Sequence, residues 1–147
     1  MTTALFDLNK DEDLQEVCKL LKNRMIVSFP TETVYGLGAN ALDPQSIRKV
    51  YDAKGRPSDN PLIVHIGRFE QINDLVRETS SPEYKLSIQI ARRFWPGPLS
   101  LVFPKSSIVP DEITGGLKTV VLRMPSHPIA RKLLMSLGSF SPRSLFM

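Results

Sequence analysis

The chain has 147 residues, 41% hydrophobic and 23% charged, which is the size and balance of one globular domain with a real core. Its net charge of +4 and pI near 9.4 favour anionic partners without choosing among nucleotides, phosphates and RNA. A single cysteine, an N-terminus that turns acidic by Asp7 and the lack of any long apolar run exclude a disulfide framework, a secretory leader and a membrane span, so a soluble cytoplasmic protein is expected.

The first predicted helix covers 11–24, with Leu14, Val17, Leu20 and Leu21 on one face and acids in its first turn. A short buried strand over 25–29 follows, then a stretch without clean period, Pro30-Thr31-Glu32-Thr33-Val34-Tyr35-Gly36-Leu37-Gly38. Asp43-Pro44 is an N-cap and first-turn proline, opening a helix whose apolar stripe is Ile47, Val50 and Tyr51. Lys54-Gly55-Arg56-Pro57 stops it and leads into a loop, after which 62–66 is a predicted strand. Phe69, Ile72, Leu75 and Val76 predict a short helix, and Ser81-Pro82 opens a longer one with Leu86, Ile90, Ala91 and Phe94 facing inward. Pro96-Gly97-Pro98 ends that helix, and strands are predicted over 99–103 and, after Gly115-Gly116, over 119–123. A last helix begins near Ser126-His127-Pro128 and carries Ile129, Leu133 and Leu134. Strands and helices alternate along one domain, which argues for an α/β layered fold.

Two loops are dense in groups that bind anions. Thr31-Glu32-Thr33 follows a strand directly, and open α/β sheets bind ligands at the carboxyl ends of their strands. Hydroxyls and free amides there suit a carboxylate or phosphate, or equally a strand-to-turn connection satisfying its own backbone. It is not a P-loop, because the GxxxxGK[ST] pattern is absent. In Lys54-Gly55-Arg56-Pro57-Ser58-Asp59-Asn60-Pro61 a point charge and a guanidinium fork flank a glycine, which matches a polyphosphate, while the plain alternative is a solvated basic turn. Asn60 stands between two prolines in a rigid loop. His65 lies inside an apolar strand, where a structural role is the common one. Arg123 closes another, where a carboxylate ligand and a structural ion pair compete as explanations. Trp95 beside Pro96 fits a core cap better than a base-stacking platform. Neither His65 nor His127 has a second nitrogen or sulfur ligand at useful spacing, which argues against zinc.

Together these stretches resemble one family. Phe29 to Gly38, Lys54-Gly55-Arg56-Pro57 with Asn60-Pro61-Leu62-Ile63-Val64-His65, Trp95-Pro96-Gly97-Pro98-Leu99, and Val121-Leu122-Arg123-Met124-Pro125 with His127-Pro128 look like the YrdC-type threonylcarbamoyl-AMP synthases. Four motifs stand in the same order, over about residues 5–135. The resemblance implies a YrdC-like twisted mixed sheet with flanking helices around a concave basic cleft. It implies that L-threonine, bicarbonate and ATP, with Mg²⁺, give threonylcarbamoyl-AMP and pyrophosphate. The product would go to the transferase machinery that modifies the adenosine beside the anticodon of tRNA. By that similarity Thr31, His65 and Arg123 hold threonine, and Lys54, Arg56, Asn60 and Thr119 hold ATP. Lys54 and Arg56 then carry catalysis, by stabilising charge on the leaving pyrophosphate; no metal ligand from a protein side chain is identified.

The pattern departs at its end. The family's Ser-x-Asn nucleotide motif, beyond the last helix, is missing, since the final asparagine of the chain is Asn73. The expectation is an incomplete YrdC-like domain over 1–137 and an unrelated tail over 138–147. Two alternatives follow: a double-stranded or ribosomal RNA-binding module without turnover, and an inactive truncated relative.

Overall fold

Local signals set most helix boundaries in the computed structural model, which describes residues 2–140. Helix α1 (Asp11–Lys22) has Asp11, Glu12 and Asp13 at the positive end of its dipole and buries Leu14, Val17, Cys18 and Leu21. Strands β1 (Val27–Phe29) and β2 (Gly36–Gly38) pair antiparallel, Phe29 opposite Gly36, and form a hairpin with 30–35 as its loop. Strand β2 went unforeseen because glycine carries little strand preference and the pairing depends on Phe29 closing over Gly36. Helix α2 (Pro44–Lys54) starts as its sequence predicts, Asp43 accepting from the Ser46 amide at 2.9 Å. Strand β3 (Ile63–His65) leads to a 3-10 turn (Phe69–Gln71) that runs into α3 (Ile72–Leu75).

Helix α4 (Pro82–Phe94) has its expected Ser81 cap, the Ser81 hydroxyl accepting from the Tyr84 amide, but its inner face differs from the prediction. Leu86 is 56% and Phe94 58% exposed. The core-facing stripe is Tyr84, Ile88, Ala91 and Trp95, at helical spacing, and the apolar residues at 86 and 94 misled because they lie on the opposite side. Strands β4 (Leu101–Pro104) and β5 (Thr119–Arg123) flank a single helical turn, α5 (Asp111–Thr114), too short to show a period in sequence. The last helix, α6 (Pro128–Phe140), buries Leu133, Leu134 and Leu137. It runs past 137, and the remainder of the expected tail lies outside the described residues.

A three-stranded mixed sheet has the order β3-β5-β4, with β3 parallel and β4 antiparallel to β5. Val64, Leu122, Val120 and Phe103 point to a core closed by α2 to α5, while Ile63, Val121 and Val102 lie on the other face, Val102 at 57% exposure. A second apolar cluster joins α1, α6 and Phe29 of β1. The hairpin meets the three-stranded sheet where the Phe29 ring abuts His65 edge-on, with centroids 6.0 Å apart. An α/β architecture with flanking helices is therefore what the chain adopts. No helix among the described residues is long and apolar enough to cross a membrane.

Candidate active site

Arg123 ends β5 and His65 ends β3, and the parallel register sets them side by side. Both side chains emerge on the less covered face, at the carboxyl ends of their strands, where α/β sheets take ligands. The hairpin loop closes over them. Glu32 Oε1 accepts from Arg123 Nη2 at 2.5 Å, and Thr33 Oγ1 accepts from the same nitrogen at 3.2 Å. The other Glu32 oxygen, Oε2, accepts from the Ser126 and His127 amides at 3.1 and 3.4 Å. Burial alone would raise the pKa of Glu32, but the Arg123 hydrogen bond, backbone amides and the Arg123 charge outweigh it and hold the carboxyl below its usual range. Arg123 Nε is buried and meets no partner among the described residues, so one edge of the fork is unmatched.

Thr31 donates its hydroxyl to the Val34 carbonyl at 2.6 Å and accepts from the Thr33 amide at 3.3 Å. Its proton is thus committed locally, and towards a ligand its oxygen serves as an acceptor. His65 is 8% exposed. Burial, then the charge of Arg123, pushes its pKa down to about 4, with Lys54 adding to the effect against the Ile63 carbonyl and Glu32. The imidazole is neutral at physiological pH. Arg123, Glu32 and Lys54 are thus all near enough to His65 to influence its charge, Lys54 the least.

Lys54 and Arg56 owe their positions to Gly55, which ends α2 in the left-handed region at φ 57°. Amides of Gly55 and Arg56 then bond back to Asp52 and Tyr51 carbonyls, and the chain reverses. Arg56 does not stand free: Nη2 donates to Asn60 Oδ1 at 2.6 Å and to the Pro61 carbonyl at 2.9 Å. Tyr51 donates its hydroxyl to the Asn60 carbonyl at 2.9 Å, locking the loop from below. Gly115, at φ 60°, allows α5 to approach: a Cβ there would lie 2.6 Å from the Asp59 carbonyl oxygen.

Thr119 begins β5 and shares a face with Arg123 at its other end. At about 3.3 Å per residue the two lie roughly 13 Å apart. The predicted residues thus fall into two groups. Thr31, His65 and Arg123 converge, with Lys54 near enough to act on His65. Arg56 and Asn60 are tied to each other. Among the described residues the Thr119 side chain makes no hydrogen bond to either group, and the strand is what connects it to Arg123.

Sequence reasoning gave no role to Glu32, although a lone acid in a loop that must cover a buried strand-end arginine is a usable signal, or to Tyr51, hidden as a core residue. Among the described residues no three His, Cys, Asp or Glu side chains gather in a way that could hold a metal ion.

Comparison with known proteins bears on the family of the chain. The family model Sua5_yciO_yrdC, described as telomere recombination, matches residues 19–144. The chain belongs to the Sua5/YciO/YrdC family. Within it, the Pyrococcus abyssi threonylcarbamoyl-AMP synthase is 57% identical over 114 residues, which is 78% of this chain and 32% of that protein. The Bacillus subtilis threonylcarbamoyl-AMP synthase is 46% identical over 129 residues, 87% of this chain and 36% of its own length. The crystal structure of Pyrococcus abyssi Sua5 complexed with L-threonine superposes with a TM-score of 0.82 at 47% identity, covering 93% of this chain and 38% of that one. The chain therefore spans about a third of the length of these curated relatives.

Proposed function

We propose that the chain carries the threonine and nucleotide ends of an L-threonylcarbamoyladenylate synthase active in the cytoplasm. The amine of L-threonine takes up bicarbonate to form a carbamate, releasing water. A carbamate oxygen then attacks the α-phosphorus of ATP, and the bond to the bridging oxygen breaks as pyrophosphate leaves. Such a displacement needs alignment and cations more than covalent help from the protein.

One observation carries the reading: a neutral histidine and a half-matched arginine lie side by side at the ends of two parallel strands, with a lysine near enough to bear on the histidine. The unmatched edge of Arg123 suits the threonine carboxylate, and the Thr31 oxygen and neutral His65 suit its ammonium or hydroxyl group. Lys54 and Arg56 would balance charge on the departing pyrophosphate, with Asn60 and Thr119 towards the nucleotide. Mg²⁺ would enter with ATP, as its phosphates' counter-ion. The product would pass to a transferase acting on tRNA. Support comes also from the relatives' names and from the threonine complex of the Pyrococcus abyssi protein.

The test is pyrophosphate release by the folded chain, which should require ATP, threonine and bicarbonate together and should fall at least tenfold in Lys54→Ala, a group placed on developing charge. Calorimetry with L-threonine alone should show binding that Arg123→Ala abolishes. A cooperatively melting chain that neither binds threonine nor releases pyrophosphate refutes the proposal and leaves an inactive relative.

A further inference from the structure

A second collection of cations lies away from these residues. A cavity of about 440 Å³ opens between the loop after β3, helix α4 and helix α6. Arg68, Arg92 and Arg131 contribute to its wall, against a single carboxylate, Glu70, and its apolar lining includes Phe69, Trp95 and Met124. Among the described residues none of the three arginines forms a salt bridge. Arg131 Nη1 is buried and has no hydrogen-bond partner among the described residues. The Arg92 guanidinium is held flat over the Phe69 ring, its carbon 4.6 Å from the centroid, which fixes the orientation of its donors. A neighbouring cavity of about 370 Å³ shares Phe69 and Arg92 and adds one cation, Lys85, and one carboxylate, Glu78.

We propose that this pocket is a phosphate-binding site separate from the candidate active site. Three guanidiniums around one concavity repel one another, and a desolvated N–H without an acceptor is costly; an oxyanion in the pocket relieves both. A phosphate offers several acceptor oxygens, enough to engage Arg92 and Arg131 with two donors each, and the volume is in the range of small-ligand sites. The same chemistry comes from a free phosphate or from the backbone of an RNA chain. The inference does not depend on the function proposed for Arg123 and Lys54.

The test uses the full chain and inorganic phosphate, followed by calorimetry or ³¹P NMR. Saturable binding should persist in Lys54→Ala and weaken roughly tenfold or more in Arg92→Gln/Arg131→Gln, while L-threonine binding is unchanged. If the double variant does not fold, Arg68→Gln, at an exposed position, should still weaken phosphate binding. A short RNA duplex separates the sources. A shallower salt dependence of duplex binding in the double variant, without saturable free phosphate, assigns the site to a nucleic-acid backbone. Phosphate binding abolished by Lys54→Ala and indifferent to the arginines overturns the proposal, as does binding of neither phosphate nor RNA that responds to them.

Discussion

Replacing Glu32 by glutamine tests the contact that closes the hairpin over the sheet. The carboxylate serves Arg123 through one oxygen and the Ser126 and His127 amides through the other, and only about a fifth of its side chain is exposed. Glutamine keeps the shape and one acceptor oxygen but loses the charge and one of the two accepting sides. Hydrogen bonds to a charged group contribute about 1.5–3 kcal/mol, against about 1 for neutral ones, and Arg123 would be left without its counter-charge. A net loss of about 2 kcal/mol follows, which for a domain of this length lowers the Tm by about 6 °C. Because the folded-state pKa of Glu32 is depressed, its contribution is present at neutral pH and disappears as pH falls through the carboxylate range. Thermal unfolding followed by circular dichroism at neutral and acidic pH reads both effects. An unchanged Tm at neutral pH, or a deficit that persists undiminished in acid, would show that Glu32 does not work through its charge.

Arg123→Lys retains the charge but not the fork, so threonine binding measured by calorimetry should weaken roughly tenfold to a hundredfold while the fold persists. His65 has a folded pKa near 4 against an ordinary 6.5, so the unfolded chain binds the extra proton first. Stability should therefore decline as pH falls between those values, by on the order of 3 kcal/mol in full, and NMR of the imidazole should show no titration near neutrality. Gly115→Ala forces a left-handed backbone on a residue with a Cβ and drives it against Asp59. It should cost about 2 kcal/mol in denaturant melts and also weaken ATP binding, since Asn60 is next along the loop.

The helices were legible because their signals are local. Asp43-Pro44 and Ser81-Pro82 act within one turn, and both caps are present. Strand β5 was legible as a run of β-branched residues ending in a charge. What escaped depends on distant partners: Gly36–Gly38 is a strand only because Phe29 lies across from it, and the orientation of α4 is decided by the sheet it packs on. The site divides the same way. Lys54, Arg56 and Asn60 could be read together because Gly55 and the prolines constrain a short loop. Glu32 and Arg123 are 91 positions apart, and their meeting is a product of topology rather than of either neighbourhood.

An extended strand is nearly inextensible, and β5 is what separates Thr119 from Arg123. Under the proposed function, side-chain substitutions at either end would therefore alter how firmly a ligand is held, not the spacing between the two contacts. Only adding or removing a residue within Thr119–Arg123 would change that reach, and a shift of one position would rotate the guanidinium away from His65 and into the apolar layer occupied by Leu122. The Thr119–Arg123 spacing and the fold are thus set by the same strand, and neither can be changed alone.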